Sequence, residues 1–439
     1  MPASPPPPAD GRTRVMVVGS GWRFLSGISY YTCRLSNALS ERYDVGTILM
    51  RQLLPTRLYP GRGRVGQKLN DLTYGPGVEV FDGVDWWGVP SLFRAVRFLR
   101  SFRPAVIVFQ WWTGTVLHSY LVLCLVARLL GSKVVIEFHE VQDTGEARHR
   151  WAELYCRKLI KPLLRATDGA VVHSHFDREA LRAAYGLRDV PDEIALHGPF
   201  DHHAVPAALP SSAEPSSADQ CRLLFFGTIR PYKGLEDLVE AFSQLPAHYT
   251  LTVVGETWED CTLPAEMIAD SPAAGRITFV NRYVADSEVD AFFADADLVV
   301  LPYRRSSASG PLHIAMSHGL PVVITAVGGL IEAAKPYAGT TFAPAGSPSA
   351  LARAIVAATG KAGTRHTDPS SWEQSVAAFT RLFTRLGVVP RADAPPIAGL
   401  SAVGRPIAGL SAVGRPIGQE TETTASSNQT VPVLSPDLR

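Results

Sequence analysis

The sequence predicts an α/β protein made of two Rossmann-like, doubly wound parallel-sheet domains facing each other across a cleft. Three observations carry that expectation. Continuous apolar runs of strand length, such as 105–110, 133–138, 298–301 and 322–325, read as parallel strands covered on both faces. Longer stretches between them carry apolar residues three and four apart, the period of amphipathic helices. The order strand, glycine turn, helix opens both halves, at 15–39 and 223–242, and a Pro/Ala/Ser-rich segment at 204–220 separates the halves as a linker.

The 439 residues are 46% apolar and 19% charged, a globular balance long enough for two domains and tails. Residues 1–200 hold 25 Lys and Arg against 18 Asp and Glu, and the remainder holds 17 against 23, so a net charge of +1 hides a basic first half. That excess is too weak for a nucleic-acid-binding protein and suits a domain that meets an acidic surface or acceptor. The five cysteines (33, 124, 156, 221 and 261) are scattered without a CxxC pair. Neither a disulfide framework nor a cysteine zinc site is expected, and a reducing cytoplasm is the simplest location. Residues 1–13 are a proline-rich lead-in without the build of a signal peptide. The most apolar stretch, 116–130, is interrupted by His118 and Arg128 and falls short of the roughly 20 residues a membrane span needs, so it reads as a buried helix.

The first domain, 14–203, opens on a β-branched strand at 15–18 that ends in Gly19-Ser20-Gly21. The loop runs through Ser26 and Gly27 into a helix marked by Ile28, Tyr31, Leu35 and Leu39. Its glycines lack the third member of a dinucleotide fingerprint, which weakens an NAD-dependent oxidoreductase and leaves a flexible ligand loop at the carboxyl edge of a sheet. A second strand at 44–50 and a long Arg/Gly-containing loop at 55–77 follow, then a helix at 91–103 with arginines at 94, 97, 100 and 103. That helix is either an ordinary solvated face or a peripheral contact with an anionic membrane. The strand at 133–138 ends in His139-Glu140, where a histidine donates to a phosphate or sugar hydroxyl, or is simply structural. A cationic helix at 151–165, a strand at 169–173, a Ser174-capped helix to Tyr185 and a short strand at 194–196 complete the domain.

The second domain, 221–370, repeats the grammar with strands at 223–226, 249–254, 277–280, 298–301 and 322–325. Its helices are expected at 235–242, 287–294, 312–318 and from 351, and an amphipathic helix opened by Ser371 closes the fold at 371–389. Residues 390–439, with PIAGLSAVGR twice in tandem, are expected to be disordered.

The densest chemistry lies in the unit that opens this domain. After Gly227 the loop places Arg230 and Lys233 at the carboxyl end of a strand and beside a helix amino terminus, with Pro231 fixing the chain and Gly234 allowing close approach. Unpaired N–H groups and the helix dipole there favour an anion. A second strand-to-helix turn follows Pro302-Tyr303 with a small-residue loop and puts Pro311 at a first helical position. Backbone N–H groups of Ser309, Gly310 and Leu312 are expected to cradle a phosphate from the side opposite Arg230 and Lys233. Two such turns in one domain point to a nucleoside diphosphate between them.

These motifs resemble the retaining glycosyltransferases of the GT-B fold, family 4, also called glycosyl transferases group 1. The similarity rests on FFGTIRPYKGLEDLVEAF, LTVVGE with Gly255 and Glu256, the loop Asn281-Arg282-Tyr283-Val284, DADLVVLPY, AMSHGLPVV, VGGLIE and a closing SWE, with Gly27 and His139-Glu140 in the first domain. It covers residues 14–388. The resemblance implies that a sugar moves, with retention, from a nucleotide-diphosphate donor as co-substrate to a glycan, lipid-linked or small-molecule acceptor. No cofactor or metal is implied: Arg230 and Lys233 would neutralise the leaving diphosphate in place of a divalent ion, with no Asp-x-Asp set counted against that. His139 would contact the donor sugar, residues 281–284 the nucleobase, and the turn at 309–312 the phosphates.

The family's paired glutamates, eight positions apart, fall here at Ser306 and Ile314, so their sugar and ribose contacts are missing or differently supplied. That loss motivates an alternative, a catalytically weakened nucleotide-sugar-binding scaffold.

Overall fold

A computed structural model of the chain describes residues 13–21, 27–52, 72–85, 88–140, 150–187, 189–200, 220–258, 261–306, 308–391 and 394–395. The linker at 204–219, the loop at 55–71, Ser26 and nearly all of the lead-in and the repeat tail lie outside them.

The apolar runs pair as expected. Strands β1 (Arg14–Ser20), β2 (Asp44–Gln52), β3 (Val78–Asp85), β4 (Val106–Trp111), β5 (Lys133–Phe138), β6 (Gly169–Val172) and β7 (Asp192–Ile194) form a parallel sheet in the order β3-β2-β1-β4-β5-β6-β7. Strands β8 (Cys221–Phe226), β9 (Tyr249–Val254), β10 (Ile277–Val280), β11 (Leu298–Leu301), β12 (Val322–Thr325) and β13 (Thr340–Ala343) form a second, in the order β10-β9-β8-β11-β12-β13. Strand order reverses beside β1 and beside β8, which places a ligand crevice at the carboxyl ends of each sheet.

Helices α1 (Gly27–Ser40), α2 (Val89–Phe102), α3 (Leu117–Leu129), α4 (Arg150–Arg165) and α5 (His175–Tyr185) accompany the first sheet. The second carries α6 (Leu235–Ser243), α7 (Leu263–Asp270), α8 (Asp286–Ala294), α9 (Gly310–Ser317), α10 (Leu330–Ala334) and α11 (Pro348–Ala358). The closing helix α12 (Trp372–Arg385) returns to the first domain. Gly169 leaves room for Leu382, which a Cβ there would meet at 3.1 Å, Tyr43 meets Phe383 edge-on at 5.6 Å, and Arg381 and Arg385 pair with Glu193 of β7. At the start of α12, Ser371 accepts from the Gln374 N–H, and the Trp372 indole N–H donates to the Pro199 carbonyl at 3.1 Å.

Several expectations need correction. The strand at 194–196 is instead β7, because the Ala195 carbonyl is taken by His173 and the chain leaves the sheet. The apolar stretch 116–130 becomes α3 after a short 3-10 turn at 114–116 and is not wholly buried: Leu125 is 62% exposed and Leu129 79%. Strand β3 went unread because Glu79, Asp82 and Asp85 interrupt its apolar pattern at a sheet edge; β13, α7 and the one-turn α10 were also missed. The disorder expected from residue 390 starts too early, since the Arg391 N–H donates to the Arg42 carbonyl at 3.0 Å and the Arg42 guanidinium reaches the Pro395 carbonyl. All five cysteines are free, and among the described residues no helix is long and apolar enough to cross a membrane.

The seat of α12 is tight at Gly198, where a Cβ would lie 2.4 Å from the Trp372 ring. Gly198→Ala is therefore expected to lower Tm in differential scanning fluorimetry, by an overpacking cost of about 1–3 kcal/mol; an unchanged Tm would mean that Trp372 does not dock there.

Candidate active site

Glycines let the strand-end turns of the second sheet approach one another. Gly227, at φ 116°, follows β8, and its carbonyl occupies the space that a Cβ on Gly255, after β9, would need, only 2.0 Å away. Arg230 then leads into a 3-10 turn over Pro231–Lys233, and Gly234 ends it at φ 63°, where a Cβ would lie 2.2 Å from the Pro302 carbonyl oxygen. Held this way, the loop tucks Lys233 inward to 7% exposure, with Nζ 5.1 Å from the centre of the Tyr303 ring. Burial holds the Lys233 pKa below the ordinary lysine value. The Arg230 guanidinium lies 5.3 Å from the Tyr232 ring and 5.9 Å from Trp258, and Arg305 lies 5.4 Å from Tyr232. Three cations thus gather on aromatic faces. Arg304 beside them is instead neutralised by Asp237 at 2.8 Å.

The second turn touches the first, since a Cβ on Gly227 would lie 3.2 Å from Pro311. Ser309 caps α9, its Oγ accepting from the Leu312 N–H at 3.3 Å and donating to the Tyr303 hydroxyl at 3.3 Å. The cap takes the Leu312 N–H, so the three-donor cradle expected here reduces to Ser309 and Gly310. The Ser306 carbonyl accepts from the Gly329 N–H, and Ile314 is buried in the core, so neither position supplies a carboxylate. At the far side of the turn, Asn281 braces the loop by accepting from the Thr257 N–H and hydroxyl, Glu256 accepts from the Trp258 indole, Tyr283 is half-buried and Val284 buried.

The chain does hold an Asp-x-Asp set, Asp295-Ala296-Asp297, overlooked in the sequence. Arg222 pairs with Asp295 at 2.6 Å and Asp297 at 3.0 Å, at the amino ends of β8 and β11. These carboxylates sit at the sheet edge opposite the glycine turns and are held by Arg222.

In the first domain Gly19 and Ser20 belong to β1 rather than to a flexible loop, and the Gly21 N–H donates to the Met50 carbonyl. A Cβ on Gly19 would lie 2.2 Å from Gln110 Oε1 and 2.7 Å from Thr32 Oγ1. The glycine makes room for a buried polar chain in which Thr32 donates to Gln110 and the Gln110 amide donates to Glu137 at 3.0 Å. Glu137, wholly buried in β5, lies 3.7 Å from His139 Nε2 and 3.8 Å from His173 Nε2. His139 Nδ1 is 3.1 Å from His173 Nε2. The His197 ring lies tilted against His173 at 4.3 Å, and His313 of α9 lies 5.2 Å further on, bringing the second domain against the first. Gly27 opens α1, its Cβ position 4.0 Å from Phe200. A further bond across the seam runs from the His175 and Phe176 N–H groups at the start of α5 to Glu332 of α10, at 2.7 and 2.9 Å.

Sequence reasoning reached Arg230, Lys233 and His139 but not Glu137, His173, His197, His313 or Glu332. The one available signal was a carboxylate inside the otherwise apolar strand KVVIEF.

Two facing parallel-sheet domains with glycine turns at their strand ends are the GT-B architecture, and known proteins agree. Solved structures with this fold include a sucrose-phosphate synthase from Thermosynechococcus elongatus (TM-score 0.59, 18% identity, 86% of this chain and 98% of that chain). The catalytic domain of starch synthase IV from Arabidopsis thaliana bound to ADP and acarbose is another (TM-score 0.62, 13% identity, 85% and 99%). A family model described as Glycosyl transferases group 1 matches residues 220–360, and one described as Glycosyl transferase 4-like domain matches 26–194. The chain belongs to the group 1 glycosyltransferases of the GT-B fold.

Among curated relatives, a GDP-mannose:glycolipid 4-beta-D-mannosyltransferase of Xanthomonas campestris pv. campestris is 32% identical over 211 residues, 46% of this chain and 52% of the relative. An O-antigen chain mannosyltransferase B of Escherichia coli is 29% identical over 210 residues, 46% and 55%. The chain thus spans about half the length of the curated relatives it matches.

Lys233 is held buried at a cost in hydration. Lys233→Met, which keeps the stem and removes the charge, is expected to leave Tm unchanged or raised; a fall of several degrees would show that the ammonium holds the loop together.

Proposed function

We propose that the chain transfers a sugar from a nucleotide-diphosphate donor to an acceptor held by the first domain. The observation that carries this is the pair of touching turns, with buried Lys233, Arg230 and the amino end of α9 converging where a diphosphate fits. As the bond from the sugar to the diphosphate breaks, negative charge gathers on the leaving group, and cations and N–H dipoles already in place stabilise it without reorganising. The acceptor oxygen takes the sugar, and its proton passes to the departing diphosphate. Because this charge is met by side chains, added Mg2+ or Mn2+ is not required in the proposed transfer. The two curated relatives are named for mannosyl transfer, one of them from GDP-mannose, so GDP-mannose is the proposed donor.

Resemblance supports retention. A second reading, inversion, is favoured by Ser306 and Ile314 standing where the paired glutamates would be and by a relative named for a 4-beta-D linkage. Glu140, one residue beyond His139, is then the base that takes the acceptor proton. The anomeric configuration of the product, read by NMR, separates the two.

Peripheral contact with an anionic membrane, and hence a lipid-linked acceptor, is supported by α2. There Val89 and Phe93 are 79% and 71% exposed and share the helix with exposed Arg94, Arg97 and Arg100. Co-sedimentation with phosphatidylglycerol vesicles is expected to fall sharply in Phe93→Ser/Arg97→Glu and at high salt; salt-independent or unchanged binding would remove the membrane contact.

In a thermal-shift titration GDP and GDP-mannose are expected to raise Tm, since a ligand of the folded state stabilises it. Arg230→Ala and Lys233→Met should weaken that binding by about tenfold to a hundredfold, charge-assisted hydrogen bonds being worth about 1.5–3 kcal/mol. No shift with any nucleoside diphosphate would overturn the reading in favour of a scaffold without donor.

A further inference from the structure

Three pieces of the second domain meet at Arg304, in the loop after β11. Its backbone N–H donates to the Tyr232 carbonyl at 2.8 Å, which ties that loop to the 3-10 turn. Its guanidinium donates to both oxygens of Asp237 in α6, from Nε to Oδ2 at 3.0 Å and from Nη2 to Oδ1 at 2.8 Å. Nη1 reaches back to the Pro231 carbonyl at 3.4 Å, and the Glu236 carboxylate stands 3.5 Å from Nη2. A planar guanidinium matched to both oxygens of a half-buried carboxylate fixes direction as well as distance. Gly234 closes the junction, since a Cβ there would lie 3.3 Å from Asp237 Oδ2 as well as against the Pro302 carbonyl.

The turn needs such a tie. Burial is the main force against the Lys233 ammonium and Arg230 adds like-charge repulsion, so the lysine gains by swinging out to water. Bonds inside the turn are short-range, from the Lys233 N–H to the Arg230 carbonyl and from the Gly234 N–H to the Pro231 carbonyl. Its entry is anchored where Ile229 bonds with Glu256 and Trp258, and its exit is anchored by Arg304. Charge makes a second demand. Glu236 and Asp237 fill the first turn of α6, where the helix dipole favours them but where they repel any other anion brought to that end. Arg304 cancels that repulsion, whereas Arg305, next in the chain, lies over the Tyr232 ring among the cations.

We propose that Arg304 and Asp237 are positioning residues for sugar transfer: the pair straps the Pro231–Lys233 turn to the end of β11 and neutralises the amino end of α6. This rests on the reading that a diphosphate binds between the two turns, and it adds what keeps Lys233 and Arg230 aimed there between one donor and the next. Arg304 touches neither substrate and acts through those two cations. Its loss lowers the share of molecules whose turn is ready to bind, and apparent affinity falls by that share. The unpaired Asp237 carboxylate then weakens binding further, a penalty that removing the carboxylate as well relieves.

The test uses the full chain and two readouts: hydrogen exchange of the amides from 229 to 242 without nucleotide, and GDP affinity by titration calorimetry. Arg304→Gln is expected to speed exchange at Lys233 and Gly234 and to weaken GDP binding by about tenfold. Arg304→Lys keeps the charge but not the fork, and should fall between it and the wild type. Arg304→Gln/Asp237→Asn should bind GDP more tightly than Arg304→Gln alone, a recovery that a purely structural ion pair does not give. Arg128→Gln, which breaks an ion pair of similar exposure with Asp168 on the first sheet, should change neither readout. Unchanged exchange in Arg304→Gln, GDP affinity within about twofold of the wild type, or a double variant no better than the single one would overturn the proposal. A wild-type chain that does not bind GDP overturns the proposed donor instead, and the exchange comparison, which needs no ligand, then decides the strap alone.

Discussion

A parallel strand covered on both faces can carry chemistry only where it ends. The central strands β1, β4, β8 and β11 are sealed by helices, so any group that meets a ligand has to come from a carboxyl-end turn or be folded back beneath one. The glycines follow from that constraint. Gly227, Gly234 and Gly255 let three turns come within van der Waals reach of one another, and the space they save lets an ammonium be placed under a tyrosine ring instead of in solvent. The same economy operates in the first sheet, where Gly19 admits Gln110 and so begins the polar chain that ends in the imidazoles.

How much of this was legible depended on the reach of each signal. Strands such as VIVF and LVVL announce themselves because covering both faces demands an unbroken apolar run, and Ser174, Ser309 and Ser371 announce helix starts because a cap is a local bond. The basic glycine turn was readable for the same reason, being complete within a few residues of Arg230. The edge strands β3 and β13 were not, since an edge tolerates charge and exposure that blur the pattern. Nor was the histidine cluster: its members come from the turns after β5 and β6, the segment after β7 and α9, and only the packed chain brings them together. The glycines of β1 were misjudged because close approach and flexibility leave the same letter in a sequence.

The seam between the domains combines two kinds of contact. His197 meets His313 through a tilted ring contact that tolerates small slips, whereas Glu332 caps α5 through charge-assisted bonds that are directional. Any parting of the two domains must break the second kind outright.

The position of α12 has a consequence for how the chain is made. Every strand of the second sheet lies between residues 221 and 343, yet the flank of the first sheet is covered only when residues 372–385 arrive. On a ribosome the domain that begins first therefore finishes last. Until then the surfaces of Gly169, Tyr43 and β7 that receive Leu382, Phe383 and the two arginines stand open, a window in which a chaperone or a neighbouring nascent chain competes with the protein's own last helix.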